Sequence, residues 1–377
     1  MKVLDLNFFH HRNVTLSEAI QRHSTSYRML SEPFSSVEPF AMLVTDKADH
    51  ECVNSIHFYA IRHHAVFFMR WWKIAQFVRR NQPEVVSVHG FIYPVKVIAL
   101  RLLAGKRFRI LVQHHGEMPG NNFIKKRLFA MADKCTDGYL FTSCGNKDAW
   151  VKNGNISENS QCFELLEAST FITPIEYTKA RSQLNFSEEL HLLWVGRLNP
   201  GKDPLTVLNG LELFLSEGGK AVLNMIYHEE ELLSAVKEKI NSSPLLNSAV
   251  RLIGKVPHHE MTLWYSASDV FISASHHEGS GYALIEALHC GCYPVITNIP
   301  TFSKITDNGN QGSLFKTGDT KEVADLLKNL PDKAFHNGRN SRIAFAHEEL
   351  SFQKMARQFE NACKKVIGSH LATKLYN

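Results

Sequence analysis

The sequence predicts an α/β protein of two domains, each built on a parallel sheet. Three observations predict it. At 377 residues the chain exceeds the size at which one hydrophobic core keeps growing. Short aliphatic or β-branched runs recur, each followed by a longer amphipathic stretch, which is the pattern of parallel strands joined by crossover helices. With 44% hydrophobic and 21% charged residues, the composition is that of a chain that folds along its whole length.

Taken in order, the first half places strands at 2–8, 39–45, 85–89, 109–114 and 138–143. The second half repeats the pattern at 192–195, 221–227, 250–253, 269–274 and 294–297. Residues 164–189 between them read as irregular and carry Thr173-Pro174, which makes them the hinge candidate. A last amphipathic stretch, 351–368, reads as a helix returning toward the first domain. The expected division is therefore 1–170, 171–350 and 351–377.

No apolar run approaches the roughly 20 residues needed to cross a bilayer, and the start, Met1-Lys2-Val3-Leu4-Asp5, has an acid where a leader peptide would be uncharged. A cytoplasmic protein is expected. The 7 cysteines stand singly apart from Cys290-Gly291-Cys292, without paired CxxC spacing, so reduced thiols are expected rather than a zinc site or disulfides.

Charge is uneven. Residues 1–170 carry 21 Lys and Arg against 15 Asp and Glu, whereas 171–377 carry 21 against 22. A basic first half suits an anionic partner such as a phospholipid surface, a lipid-linked diphosphate or an acidic glycan. Nucleic acid is not expected, because no known binding motif is present. Within this half, residues 67–80 interleave aromatics with cations. On a helix Phe68, Trp71, Trp72, Ala75 and Val78 share a face, with Arg70, Lys73 and Arg80 elsewhere. Two readings follow: a core helix laying its aromatic stripe on the first sheet, or a helix in peripheral contact with anionic lipid on the inner membrane face. The core reading is the commoner case and places Trp72 inward.

The chemistry concentrates in the second half. His277-Glu278-Gly279-Ser280-Gly281-Tyr282-Ala283-Leu284-Ile285-Glu286 follows the apolar run Val270–Ala274 and continues to Gly291. Two glycines thus fall at a strand-to-helix turn, with a helix expected from near Gly281 to Gly291. Unpaired N–H groups and the positive end of the helix dipole would face an anion there, and a diphosphate is the expected occupant. Glu278 precedes the helix and Glu286 lies over one turn inside it, so the two carboxylates reach different hydroxyls of one ligand.

A second segment, Gly196-Arg197-Leu198-Asn199-Pro200-Gly201-Lys202, leaves another strand end. Arg197 and Lys202 can converge on one anion and neutralise a leaving diphosphate without a metal. Alone, such a pair is more often a solvated surface.

Together these segments resemble the retaining glycosyltransferases of family 4, whose fold is GT-B: two facing Rossmann-like domains with parallel sheets and a C-terminal helix crossing back. Gly196-Arg197-Leu198 with Lys202, and Glu278 with Glu286, match that family's motifs. The stretch Arg251–Pro257 resembles its base-binding turn, and Tyr265–Phe271 and Gly318-Asp319 fall in its order. The resemblance implies a nucleotide-diphosphate sugar as substrate, no cofactor and no metal, in keeping with the missing Asp-x-Asp. It implies that Arg197 and Lys202 hold the donor diphosphate, Glu278 the transferred sugar and Glu286 the ribose. Gly196, Val256, Gly279, Gly281, Tyr282 and Ala283 would line the donor, with the amides around 281–283 on sugar and phosphate.

In the first half, Pro83–Gly90 and Ile110–Gly116 resemble family segments that end strands with a histidine. His115 would lie beside the reacting sugar and acceptor, although a one-residue change of register would exchange it for His114. The loop after the first strand, Phe8-Phe9-His10-His11-Arg12, lacks the family's glycine pair, so an acceptor loop of different build is expected.

The expected function is retaining transfer of a hexose or related sugar to a hydroxyl acceptor. That acceptor would be a glycan or lipid-linked glycan, in envelope polysaccharide or glycoconjugate synthesis. The alternatives are a catalytically silent partner subunit that binds a nucleotide sugar or glycan, and an enzyme that hydrolyses or epimerises the nucleotide sugar.

Overall fold

The computed structural model describes residues 1–22, 27–63, 67–120, 122–331 and 334–375. It divides into two compact units, the first made of Met1–Ala168 with the segment from Phe352, the second of Ser169–Ser351.

The first unit is built on β1 (Lys2–His11), β2 (Glu38–Thr45), β3 (Asp49–Val53), β4 (Ile56–Arg62), β5 (Val85–His89), β6 (Arg109–Gln113), β7 (Gly138–Phe141) and β8 (Cys162–Glu164). Their order across the sheet is β3-β4-β2-β1-β5-β6-β7-β8, parallel except for the β3–β4 hairpin. The connections from β4 to β5, β5 to β6 and β6 to β7 all step the same way across the sheet. Right-handed crossovers therefore put their helices, Phe67–Asn81, Pro94–Ala104 and Phe123–Asp133, side by side on one face.

The second unit has β9 (Leu190–Gly196), β10 (Ala221–Tyr227), β11 (Val250–Gly254), β12 (Val270–Ser273), β13 (Tyr293–Thr297) and β14 (Ser313–Phe315). They form one sheet in the order β11-β10-β9-β12-β13-β14, every described pair parallel. Such a sheet is covered on both faces, which is why β10 and β12 are buried at every position.

Three strand regions were not expected from sequence. The hairpin β3–β4 turns on Asn54 and Ser55, with φ of 51° and 66°, a two-residue turn without the glycine that usually announces it. β8 and β14 are 3 residues each, too short for periodicity to mark. The 164–189 region is also less irregular than expected, since Tyr177–Gln183 is helical with Glu176 accepting from the amides of Thr178 and Lys179. The final helix runs Phe352–Leu375 and belongs to the first unit, where Glu360 accepts from the hydroxyls of Ser35 and Ser36.

Two expectations are corrected. Cys144 and Cys162 form a disulfide, with Cα atoms 6.1 Å apart, whereas Cys52, Cys135, Cys290, Cys292 and Cys363 are free thiols. Spacing could not show this, because strand pairing of β7 with β8 is what brings residues 18 apart together. In helix Phe67–Asn81, Trp71, Ile74, Ala75 and Val78 are buried, but Trp72 is 52% exposed. The inward stripe runs 71, 74, 75, 78, and Trp72 lies about 100° away from Trp71 around the helix. The side chains of Phe67, Phe68 and Arg70 lie outside the described ones. Among described residues no helix is long and apolar enough to cross a membrane.

Candidate active site

In the second unit a cavity of about 430 Å³ opens at the carboxyl ends of β9, β10 and β12, where ligands sit in open parallel sheets. Gly196, Arg197, Lys202, Val256, Glu278, Gly281, Tyr282, Ala283 and Glu286 all line it. Of the residues expected to bind a donor, Gly279 does not line it and Ser280 takes that place.

The geometry follows from the local sequence. Helix Tyr282–His289 starts from Gly281, whose φ of 62° suits glycine and whose missing side chain leaves room for Ile305: a Cβ there would meet Ile305 Cδ1 at 2.5 Å. It stops at Gly291, with φ of 80°, after the amides of Cys290, Gly291 and Cys292 have bonded to the carbonyls of Glu286, Leu288 and Ala287. No side chain caps its start. Its first amides thus remain available to an anion in the cavity.

Lys202 follows a turn held by its own amide on the carbonyl and side-chain oxygen of Asn199. Its ammonium is ion-paired with Glu278, both side chains largely buried. The backbone carbonyl of Glu278 accepts from the Thr301 hydroxyl at 2.7 Å, which fixes the turn before Gly281. Arg197 is half-exposed and only loosely associated with Glu229, at 3.9 Å, so its guanidinium is available to a ligand.

Glu286 lines the same cavity from inside helix Tyr282–His289. It is buried, and His258 donates to it at 2.7 Å. Burial pushes its carboxyl above the ordinary range, against the opposing hydrogen bonds and charge of His258. Burial, and after it the same carboxylate, raises the Tyr282 phenol to about 12. His258 was not foreseen: it comes directly after the expected base-binding stretch Arg251–Pro257, and sequence gives no sign that it bends back onto Glu286.

The first unit brings together a different group. Asp5 on β1, His89 at the end of β5, His115 beyond β6 and Glu167 beyond β8 form one hydrogen-bonded line. Asp5 Oδ2 to His89 Nε2 is 2.7 Å, His89 Nδ1 to His115 Nε2 is 2.9 Å, and His115 Nδ1 to Glu167 Oε1 is 2.8 Å. With both carboxylates ionised, three bonds need three ring protons, so the two imidazoles carry one positive charge between them. Burial opposes protonation of His115, but the Glu167 carboxylate and the charges of Glu117 and Asp5 outweigh it, and its pKa is raised. His115 and Glu167 line a cavity of about 320 Å³, together with Asn7, His89 and Tyr93. His114 instead is buried, with Nε2 2.8 Å from the Glu117 carbonyl. The structure thus places His115, not His114, at this cavity.

Because the folded pKa of His115 lies above its unfolded value, the stabilisation is full below about pH 6.5 and is lost as pH rises through the folded value. Glu167→Gln removes the largest favourable partner. Melting curves taken across that range should show the intact protein losing more stability on alkalinisation than Glu167→Gln; parallel curves would show that the two imidazoles share no extra proton.

The family model for glycosyl transferases group 1 matches residues 176–343. The chain is 24% identical over 166 residues to a D-inositol 3-phosphate glycosyltransferase of Streptosporangium roseum, covering 41% of this chain and 37% of that protein. It is 24% identical over 157 residues to a GDP-mannose:cellobiosyl-diphosphopolyprenol alpha-mannosyltransferase of Xanthomonas oryzae pv. oryzae, covering 41% of each. The chain therefore spans about two fifths of the length of these curated relatives. Among solved structures, a glycosyltransferase from Rickettsia africae superposes with a TM-score of 0.70 at 16% identity, covering 97% of this chain and 99% of that one. Anabaena HepE in complex with UDP gives 0.69 at 13% identity, covering 97% and 100%. Residues 176–343 thus match the glycosyl transferases group 1 family, and the chain, with its two parallel-sheet units, has the GT-B fold.

Proposed function

We propose that this chain transfers a hexose or related sugar from a nucleotide-diphosphate donor to a hydroxyl of a glycan or lipid-linked glycan. The transfer retains the anomeric configuration and uses neither a cofactor nor a bound metal. One observation carries the reading: Arg197, the Lys202–Glu278 pair, the uncapped helix start at Gly281 and buried Glu286 line a single cavity. Its cations suit a diphosphate, and its two acids suit the hydroxyls of the sugar and the ribose that the diphosphate joins.

In this reading the diphosphate takes Lys202 from Glu278. The freed carboxylate then accepts hydrogen bonds from the sugar, and Glu286 accepts from the ribose with His258 holding its orientation. As the bond from the anomeric carbon to the phosphate oxygen breaks, negative charge grows on the diphosphate beside Arg197, Lys202 and the helix dipole. The acceptor oxygen bonds to the anomeric carbon on the same face, and its proton passes to the leaving phosphate oxygen, so no protein nucleophile is needed. A lipid-linked acceptor is supported by the mannosyltransferase relative, whose printed name gives a diphosphopolyprenol-linked cellobiose as its acceptor.

The test is release of nucleoside diphosphate from a panel of nucleotide sugars, with and without glycan acceptors, in excess chelator. Acceptor-dependent release, with the product keeping the donor's anomeric configuration, is expected. Release without acceptor favours a hydrolase, release restored only by magnesium or manganese removes the metal-independent mechanism, and tight binding without release favours a silent partner.

A further inference from the structure

We propose that the outer face of helices Phe67–Asn81, Pro94–Ala104 and Phe123–Asp133 docks the first unit on an anionic phospholipid bilayer. The surface extends well beyond the aromatic-basic helix that the sequence singles out.

Charge is the first observation. Residues 67–134 carry 13 Lys and Arg against 3 Asp and Glu, a net of +10, although Arg101 and Arg109 among them are largely buried and ion-paired with Asp137. All three acids are turned to other work. Glu84 accepts from the Lys2 amide, Glu117 from the amides of Phe91 and His115, and Asp133 from Tyr139 and Ser160. Helices Phe67–Asn81 and Pro94–Ala104 contain no acid at all. Ordinary protein surfaces intersperse both signs, which keeps them from adhering to anionic lipid.

Apolar exposure is the second. Of the 13 exposed large hydrophobic side chains in the chain's described residues, 9 fall in this stretch. Met69 and Trp72 share the outward stripe of the first helix with Lys73, Arg79 and Arg80, at spacings of three, four and seven residues. Leu102 on the second helix is 75% exposed. On the third, Phe123, Ile124 and Met131 stand out beside Lys125 and Arg127, whose guanidinium lies 4.6 Å from the Phe123 ring centroid. Apolar side chains that enter the headgroup boundary, surrounded by cations, are what interfacial binding requires.

The third observation concerns helix energetics. Lys125 and Lys126 sit at the start of helix Phe123–Asp133, where the dipole disfavours cations and no acid is present. Helix stability therefore does not explain them, and an external anionic surface does. Ile92, also exposed, lines the His115 cavity as well, so the docked face continues to its mouth. The inference is independent of the transfer reaction, except that a membrane-held acceptor would enter there.

The test is co-sedimentation of the full chain with vesicles of phosphatidylcholine alone and with phosphatidylglycerol added. Binding is expected only to the anionic vesicles, falling at high salt, with a blue shift of tryptophan emission that is lost in Trp72→Phe. Lys125→Glu with Arg127→Glu should lower the partition coefficient at least about tenfold, since each cation near an anionic surface contributes about fivefold. That variant puts acids at a helix start and should fold well. Lys237→Glu with Lys321→Glu, the same charge change on exposed positions of the second unit, should leave binding unchanged. Equal binding to both vesicle types, equal loss in both double variants, or no binding would overturn the proposal. Lipid-independent self-association abolished by Trp72→Ala would replace the bilayer with a second copy of the chain. Turnover of a water-soluble acceptor, measured alongside, keeps failure of docking distinct from failure of the catalytic reading.

Discussion

Arg197→Ala and Lys202→Ala should each lower kcat by about 10²-fold or more while changing donor affinity far less, because both cations face a diphosphate whose charge grows as the glycosidic bond breaks. Lys202 has a second effect. Its loss leaves Glu278 as a largely buried carboxylate without its ion pair, and that uncompensated charge repels the diphosphate as well. Lys202→Ala is therefore expected to be the more damaging of the two, and a Lys202→Ala/Glu278→Gln double variant to recover part of its donor affinity but not its rate. Glu286→Ala should act mainly on donor affinity, since a ribose contact is remote from the reacting carbon. Steady-state kinetics of folded variants, with melting curves as the control, checks the ranking. Unchanged rates for both single variants would remove this cavity from catalysis.

Trp71→Ala should cost about 3–5 kcal/mol of stability, the range for deleting a fully packed aromatic. Its ring lies inside the first unit's core, 5.3 Å from Phe8, and is 2% exposed. Trp72→Ala, one residue on, should change stability by about 0.5 kcal/mol or less, because a half-exposed surface side chain leaves no cavity. Denaturant melts of the two variants decide the point. Equal losses would return Trp72 to the core and take away one anchor of the lipid-docking face.

The alternation of apolar runs and amphipathic stretches was enough to read two parallel sheets, because a strand buried on both faces and a helix on one face leave different periods in the sequence. The donor cavity was legible for a related reason. Glycines at 281 and 291, with acids at 278 and 286 between a strand and a stop, fix one helix and what surrounds its start. Periodicity fails where elements are short or solvent-facing, which is why β3, β8 and β14 went unseen; β4 was missed too, although its seven residues alternate between buried and more exposed positions. It also allows a wide stripe on helix Phe67–Asn81 but cannot say where the stripe's edge falls, and Trp72 was assigned to the wrong side of it. The His258–Glu286 contact and the line Asp5, His89, His115, Glu167 join residues far apart in the chain. Nothing local in the sequence specifies either; the sheet order β1-β5-β6-β7-β8 assembles the second of them.

Calorimetric titration of the full chain in chelator, comparing a nucleoside, its monophosphate and its diphosphate, tests whether Arg197, Lys202 and the helix start at Gly281 hold a diphosphate. The diphosphate should bind at least about tenfold tighter than the monophosphate, as one further charge-assisted contact allows, and this advantage should disappear in Arg197→Ala and Lys202→Ala. Equal affinity for all three ligands, or a diphosphate advantage that survives both substitutions, would contradict this placement of the diphosphate.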